Sequence, residues 1–140
     1  MIEIVAGEKG KGKTKILLDR SNKDVDTISG SIIFIDKSAK HMYDLDSKVR
    51  LINISEYPLN TTGEFLGFLS GVISQNNDIE EIFLDSFLTI AYIDTNNGLT
   101  SSLEELEQIS ECFGVKFILS VSSTKQDLPS EIQDKVIVEL

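Results

Sequence analysis

The sequence predicts an α/β fold: a three-layer sandwich whose helices cover both faces of a mainly parallel sheet of about five or six strands. Two observations predict it. Runs of Val, Ile, Leu and Phe alternate with helical patterns along all 140 residues, and this order is typical of parallel sheets. Several of the runs are apolar almost throughout, as expected of strands that are covered on both faces. We therefore expect a single domain at 1–140.

The candidate strands leave room between them for crossover connections. They cover residues 2–6, 31–36, 49–54, 81–87, 115–122 and 135–140. The run at 49–54 lies either within the sheet or at its edge beside the run at 31–36. Parallel strands joined by right-handed crossovers end at the same edge of a sheet, and a ligand is expected at that edge.

Two longer helices have recognisable first turns. Thr61 and Glu64 have the spacing of a capping box, in which each side chain accepts a hydrogen bond from the backbone N–H group of the other residue. Ser102 and Glu105 have the same spacing at the start of the second helix. The polar residues 94–102 before that helix are therefore expected to form a surface loop.

Composition and charge argue against several classes of partner. Lys and Arg number 13 against 23 Asp and Glu, so the net charge is −10, which disfavours nucleic acids and anionic membranes because both bind clustered Lys and Arg. No apolar run approaches the ~20 residues that span a bilayer. The single cysteine, Cys112, cannot form an internal disulfide, which is typical of the reducing cytoplasm. Its place beside an apolar helix stripe predicts that it is buried.

The densest positive charge of this acidic chain lies in a glycine-rich segment, GEKGKGKT, which covers Gly7–Thr14. The segment follows the strand at 2–6 and opens into a helix. Glycines let the backbone turn its N–H groups toward an anion, and the N-terminus of the helix adds a partial positive charge. We therefore predict a phosphate site here. Its expected binding residues are Gly7, Glu8, Lys9, Gly10, Lys11, Gly12, Lys13, Thr14 and Lys15.

The glycine-rich segment matches G-x-x-x-x-G-K-[ST] at every fixed position and resembles the Walker A motif of P-loop NTPases. The alternating strands and helices extend this likeness over most of the chain. The whole sequence is also similar to short P-loop nucleotide-binding proteins of Gram-positive anaerobes, for which no activity is established. The resemblance implies Mg²⁺-dependent binding of a nucleoside triphosphate. Lys13 would contact the β- and γ-phosphates as a catalytic residue, and the Thr14 hydroxyl would bind Mg²⁺.

A second ligand of the Mg²⁺ ion should end another apolar strand. The run EIFLD ends in Asp85 and resembles a Walker B motif, which implies a catalytic and metal-binding role for this carboxylate. Asp36 competes for the role because it ends the apolar run SIIFID. We favour Asp85 and leave Asp36 as the alternative.

The spacing between the two motifs resembles that of RecA-like ATPases. In that layout the strand at 115–122 would lie between the strands at 2–6 and 81–87. The end of that strand would then lie near the terminal phosphate, and its serines, Ser120, Ser122 and Ser123, would act as polar sensors. Proteins that partition chromosomes and plasmids have a variant loop with a lysine directly after the first glycine. This chain has Glu8 at that position, so membership of that class is disfavoured.

Hydrolysis is expected to be weak or dependent on a partner. RecA-like ATPases normally follow the Walker B aspartate with a glutamate that orients the attacking water, and this chain has Ser86 there. A serine alone is not a general base at neutral pH. Glu64, Glu80 or Glu81 would have to supply the carboxylate from elsewhere. A protein partner or a second copy of the chain is expected to complete the site.

Two alternatives to an ATP-binding protein stay open. The run TKQD at 124–127 resembles the guanine-binding element of GTPases, with Asp127 as the acceptor for the base. The D-x-x-G element of small GTPases does not follow Asp85, so ATP is favoured over GTP. A small-molecule kinase is the other alternative. Such enzymes have an arginine-rich lid, whereas Arg20 and Arg50 are the only arginines in this chain.

Overall fold

The computed structural model describes residues 1–140, and its centre is one sheet of six parallel strands. The strands are β1 (Ile2–Gly7), β2 (Ser31–Asp36), β3 (Val49–Asn53), β4 (Ile79–Leu84), β5 (Lys116–Ser122) and β6 (Val136–Glu139). They lie in the order β3-β2-β4-β5-β1-β6, and every neighbouring pair is parallel. The predicted α/β fold with a parallel sheet is confirmed.

Helices cover both faces of this sheet. They are α1 (Lys13–Asp24), α2 (Thr62–Ser74), α3 (Phe87–Ile90) and α4 (Asn96–Phe113), together with short 3₁₀ turns. In β2, Ile33 and Ile35 pack into a large core cluster with α2 and α4, whereas Ile32 and Phe34 pack into a smaller cluster with α1. This alternation follows from the two-residue period of a strand and produces the three layers. No helix has the length and apolar composition to cross a membrane.

The strand order agrees with the arrangement expected from the sequence. β5 lies between β1 and β4, and β3 is an edge strand beside β2. Because all six strands are parallel, their carboxyl ends meet at one edge of the sheet. The glycine-rich segment after β1, Asp36 at the end of β2, and Asp85 directly after β4 therefore share that edge.

The predicted start of α4 is wrong. Residues 94–102 are not a loop, because most of them form the first turns of the helix. The cap is Thr95, whose side chain accepts a hydrogen bond from the N–H group of Gly98 at 2.9 Å. Ser102 is buried within the helix and donates to the Gly98 carbonyl at 2.7 Å. The buried side chain of Leu99 extends the apolar stripe toward the N-terminus, and this packing outweighs the polar composition.

The predicted burial of Cys112 is also wrong, since its side chain is exposed. The buried face of α4 ends at Ser110, whose hydroxyl donates to the carbonyl of Val115 at 2.6 Å. Cys112 lies two positions further along, about 200° around the helix axis from Ser110. It therefore points away from the sheet.

Candidate functional site

The segment between β1 and α1 turns at two glycines. Gly10 has a φ of 85° and Gly12 a φ of 95°, and other residues adopt this left-handed region at a cost of roughly 1–2 kcal/mol. Gly12 is also the N-cap residue of α1 and supplies no side-chain cap. The first N–H groups of α1 are therefore not occupied by a capping side chain and can bind an anion.

The first glycine of the segment has a packing role of its own. A Cβ atom on Gly7 would lie 2.9 Å from the Cβ atom of Leu140. The N–H group of Leu140 donates to the carbonyl of Ala6 at 2.9 Å, which holds the two chain segments together. A larger residue at position 7 would thus push the end of the chain away from β1. The expected contact of Gly7 with a nucleotide stays a prediction.

Lys13 is the first residue of α1 and is 8% exposed. Its Nζ atom donates to the carbonyl oxygen of Glu8 at 2.9 Å, so the side chain folds back over the glycine-rich segment. Burial lowers the pKa of the Lys13 ammonium group, and the charge of Asp85 opposes this shift. Because the Lys13 ammonium group donates to a carbonyl group and forms no ion pair, it has no carboxylate partner that would compete with an anionic ligand.

A hydrogen-bond network joins α1 to the ends of β4 and β5. Thr14 Oγ1 donates to Asp85 Oδ2 at 2.9 Å, and Ser120 Oγ donates to Asp85 Oδ1 at 2.7 Å. The N–H group of Ser86 then donates to Ser120 Oγ at 2.7 Å. The two residues expected to bind Mg²⁺ are thus in direct contact, and one of the three expected sensor serines touches the same carboxylate.

Asp36 lies at the end of β2, next to β4, and is 2% exposed. Its Oδ1 atom accepts a hydrogen bond from the Lys37 N–H group at 2.7 Å, while its Oδ2 atom has no hydrogen-bond partner. Burial raises the pKa of Asp36, and the charge of Asp85 raises it further. Asp36 and Asp85 are therefore close enough for their charges to interact. A metal-binding role for one carboxylate does not exclude such a role for the other.

A cavity of about 380 Å³ adjoins this network and has no apolar residue in its lining. Its ten lining residues are Lys9, Gly10, Gly12, Lys13, Thr14, Lys37, Ser86, Thr89, Ser120 and Ser122. Three of them are lysines and none is acidic. Thr14 and Ser120 connect this cationic lining to the buried carboxylate of Asp85. Such an arrangement offers positive charge to an anion and carboxylate oxygens to a cation.

Other residues of the predicted set lie outside the cavity lining. Lys11 and Lys15 are exposed, and Lys15 Nζ pairs with Asp19 Oδ2 at 3.1 Å on the surface of α1. Glu8 contributes its carbonyl oxygen to the Lys13 contact. Direct binding of a ligand by these three side chains stays a prediction.

The glutamates considered as substitutes for the water-orienting residue lie outside the lining of the cavity. Glu64 accepts hydrogen bonds from the N–H groups of Asn60 and Thr61, and so forms the predicted capping box of α2. Glu80 and Glu81 lie at the beginning of β4, at the edge of the sheet opposite Asp85. Four residues of strand correspond to roughly 13 Å. None of the three lines the cavity.

Sequence reasoning missed two cavity residues, Lys37 and Thr89. Lys37 directly follows the strand-end residue Asp36, and that position was a signal that could have been used. Thr89 lies in α3, a single helical turn that follows β4. Nothing in the pattern around Thr89 distinguishes it from an ordinary polar helix residue, so its place depends on how the chain turns at Ser86.

The TKQD run forms a capped turn beyond β5. Thr124 Oγ1 accepts a hydrogen bond from the N–H group of Asp127 at 3.3 Å, and Asp127 is exposed. No residue of 124–127 lines the cavity. This geometry accounts for the run as a local turn, and guanine binding by Asp127 stays a prediction.

The assignment of a function to this chain depends on its fold and on the geometry of the site. No model of a known protein family matches this chain, and no curated protein matches it. The structure has a parallel α/β fold with a polar, lysine-lined cavity at the carboxyl ends of the strands. The buried carboxylates of Asp36 and Asp85 lie at the same edge of the sheet.

Proposed function

We propose that this chain binds a nucleoside triphosphate together with Mg²⁺, as a P-loop protein with the RecA-like strand order. The observation that carries the proposal is the hydrogen bond of 2.9 Å between Thr14 Oγ1 and Asp85 Oδ2. The two residues are 71 positions apart in the chain, yet they meet beside the glycine turn. A structural turn would not require these two side chains to lie close together, whereas two residues that bind the same metal ion must do so.

The phosphates would be bound by the glycine-rich segment and the start of α1. The positive φ angles of Gly10 and Gly12 and the uncapped N-terminus of α1 favour an anion at this position. Lys13 would leave the Glu8 carbonyl and bind phosphate oxygens instead. Its charged hydrogen bond would contribute about 1.5–3 kcal/mol to binding.

The oxygen atoms at the base of the cavity are the donor type that Mg²⁺ prefers. Thr14 Oγ1 and the Asp85 carboxylate would hold the ion, and the unpartnered Oδ2 atom of Asp36 is a further oxygen donor beside them. No group of three or more His, Cys, Asp or Glu side chains could hold a metal. Mg²⁺ needs no such group when it keeps several waters and shares phosphate oxygens. The ion would supply charge neutralisation at the phosphates.

We propose ATP as the nucleotide and weak or partner-dependent hydrolysis as the activity. Ser86 follows Asp85 with a φ of 57° and lines the cavity, where a water-orienting carboxylate would be useful. No acidic side chain lines the cavity. A group supplied by a partner or by a second copy of the chain would therefore raise the rate, as an arginine supplied in trans does by ~10³–10⁵-fold in other phosphoryl-transfer enzymes. The lone Cys112 supports a cytoplasmic location.

Calorimetric titration with ATP and with GTP, each with and without Mg²⁺, tests the proposal. We expect ATP to bind in the presence of Mg²⁺, and Lys13→Ala to weaken binding by about ten- to hundredfold. Lys23→Ala is the matched control, because Lys23 is exposed in the last turn of the same helix. Folded protein that binds neither nucleotide would contradict the proposal, and tighter binding of GTP would favour the role of Asp127.

Phosphate release measured over a range of protein concentrations tests the hydrolysis proposal. We expect slow release by the chain alone and a faster rate in the variant Ser86→Glu. A specific rate that rises with concentration would indicate a site shared between copies. Fast release that is independent of concentration and unchanged by the substitution would show that the chain is a self-sufficient enzyme.

A further inference from the structure

Lys37 is the one cavity lysine that does not come from the glycine-rich segment. It follows the last residue of β2 and lines the cavity together with Lys9 and Lys13. Its N–H group donates to Asp36 Oδ1 at 2.7 Å, so the backbone at this position is held against a buried carboxylate. Lysine residues therefore line the cavity from two different segments of the chain.

The strand order separates these two segments. β4 and β5 lie between β1 and β2, and neighbouring strands are about 4.8 Å apart, so β2 lies roughly 14 Å from β1. Thr14 contacts Asp85, which follows β4, the strand next to β2. Lys37 thus lies on the far side of the Thr14–Asp85 pair from the glycine-rich segment.

Lys37 forms no ion pair within the chain, although its charge acts to lower the pKa of the neighbouring Asp36. Lys15, Lys116 and Lys135 all form ion pairs with carboxylates. Lys37 is exposed and belongs to none of the ion pairs. A lysine that lines a polar cavity and keeps its charge unpaired is available to an anionic ligand.

We propose that Lys37 binds the terminal phosphate of the nucleotide and so discriminates a triphosphate from a diphosphate. This inference rests on the proposed function. Thr14 and Asp85 would hold the metal ion, which would neutralise charge on the phosphate groups. The phosphate chain starts at the glycine-rich segment, so the group beyond the metal, toward β2, is the terminal phosphate. A diphosphate ends before it reaches Lys37.

Affinities for ADP and for a non-hydrolysable ATP analogue, both measured with Mg²⁺, test this inference. Lys37→Gln keeps a polar side chain of similar length and removes the charge. We expect it to weaken binding of the triphosphate analogue by about tenfold or more, as for a lost charged hydrogen bond. Binding of ADP should change by less than about twofold. Lys37→Arg should restore most of the difference, and Lys40→Gln, at an exposed lysine outside the cavity, should change neither affinity.

The outcomes separate the two proposals. An equal loss for both nucleotides, or no loss for the triphosphate, would overturn the role of Lys37 and leave nucleotide binding intact. Wild-type protein that binds neither ligand would overturn both proposals. Circular dichroism of each variant confirms that the fold is retained, which is expected because Lys37 is exposed.

Discussion

Charged side chains of the sheet lie near both ends of helix α1, but they form ion pairs only near its C-terminal end. At the C-terminal end, Arg20 pairs with Glu3 at 3.1 Å and with Asp24 at 2.8 Å. Lys116 pairs with Glu3 at 3.5 Å, and Glu81 adds a further buried carboxyl group beside Asp24. In this structural cluster (Glu3, Arg20, Asp24, Glu81 and Lys116) both cations form ion pairs with carboxylates, although one buried oxygen of Glu81 has no hydrogen-bond partner.

At the N-terminal end the charges are left apart. Asp85 accepts hydrogen bonds from hydroxyl groups, and Asp36 has a buried oxygen without a partner. Lys13 binds a carbonyl group, and Lys37 forms no ion pair. Lys13 and Asp85 are thus buried groups without an ion-pair partner, an arrangement that is unfavourable in the chain alone and that a bound ligand would relieve. This difference in ion pairing supports the proposal that the N-terminal end binds a ligand, whereas the ion pairs at the C-terminal end stabilise the fold.

The largest effect that tests this comparison is expected for Asp85→Asn. The variant should lose about tenfold or more in affinity for Mg²⁺–ATP, since a charged metal ligand is removed. Its free energy of unfolding should change by about 1 kcal/mol or less, because an amide oxygen still accepts a hydrogen bond and the repulsion by Asp36 disappears. Calorimetry and urea unfolding measure the two quantities.

Asp36→Asn resolves the alternative that the sequence left open, and the exposed Asp134→Asn is the control. A smaller loss of Mg²⁺–ATP affinity in Asp36→Asn than in Asp85→Asn would identify Asp85 as the main ligand. The reverse order would transfer that role to Asp36. Severe destabilisation by Asp85→Asn would contradict the comparison, because it would show that the site end also stabilises the fold.

Arg20→Met should have the opposite profile. Removing the guanidinium group leaves Asp24 without its ion-pair partner and Glu3 with only Lys116. Because Arg20 is 28% exposed, we expect a loss of about 2 kcal/mol in the free energy of unfolding, less than the 3–5 kcal/mol of a fully buried pair. Nucleotide affinity should be unchanged. Urea unfolding and calorimetry check both statements.

Lys15→Met is the matched control for this variant, since Lys15 forms an exposed pair with Asp19 on the same helix. Such pairs contribute about 0.5 kcal/mol or less. Equal effects of the two substitutions would indicate that the structural cluster adds nothing beyond a surface ion pair.

The smallest effect concerns the pH dependence of stability. Burial, with the hydrogen bond to Asp24 and its charge, raises the pKa of Glu81 from 4.5 to about 7, although Arg20 and Lys116 oppose the shift. The folded state therefore holds the Glu81 proton more tightly than the unfolded state. Its contribution to stability is fully present below about pH 4.5 and is lost as the pH rises through about 7.

Urea unfolding of the wild type and of Glu81→Gln at about pH 5 and about pH 8 measures this contribution. Between these values the wild type should lose stability relative to the variant, which cannot ionise at this position. Glu104→Gln, at an exposed glutamate of α4, should follow the wild type. A constant difference between wild type and Glu81→Gln would contradict the raised pKa.

The sequence predicted most of the fold and the outline of the candidate site. Apolar runs marked all six strands to within about two residues at most boundaries, because strands covered on both faces exclude polar residues. The glycine-rich segment and Asp85 could be identified because each is defined by a short local pattern. The prediction for the start of α4 was wrong because tertiary packing buries Leu99, and its polar neighbours in the sequence give no sign of this burial.

The structural cluster at the C-terminal end of α1 could not be predicted from the sequence. Its members come from α1, β1, β4 and β5, and each of them alone resembles an ordinary charged residue. Glu81 was considered only as a substitute catalytic carboxylate, and the structure places it at the opposite edge of the sheet. Register and strand order decide which charges meet, and neither is readable from composition.

The sequence by itself determined the parallel α/β architecture and the position of the glycine-rich segment, because periodicity and glycine placement are local properties of the chain. Only the tertiary structure decided that Thr14 meets Asp85, that Asp36 lies beside them with a free oxygen, and that Lys37 enters the same cavity. These contacts join residues far apart in the chain. They exist because parallel strands in the order β2-β4-β5-β1 bring their carboxyl ends to one edge of the sheet.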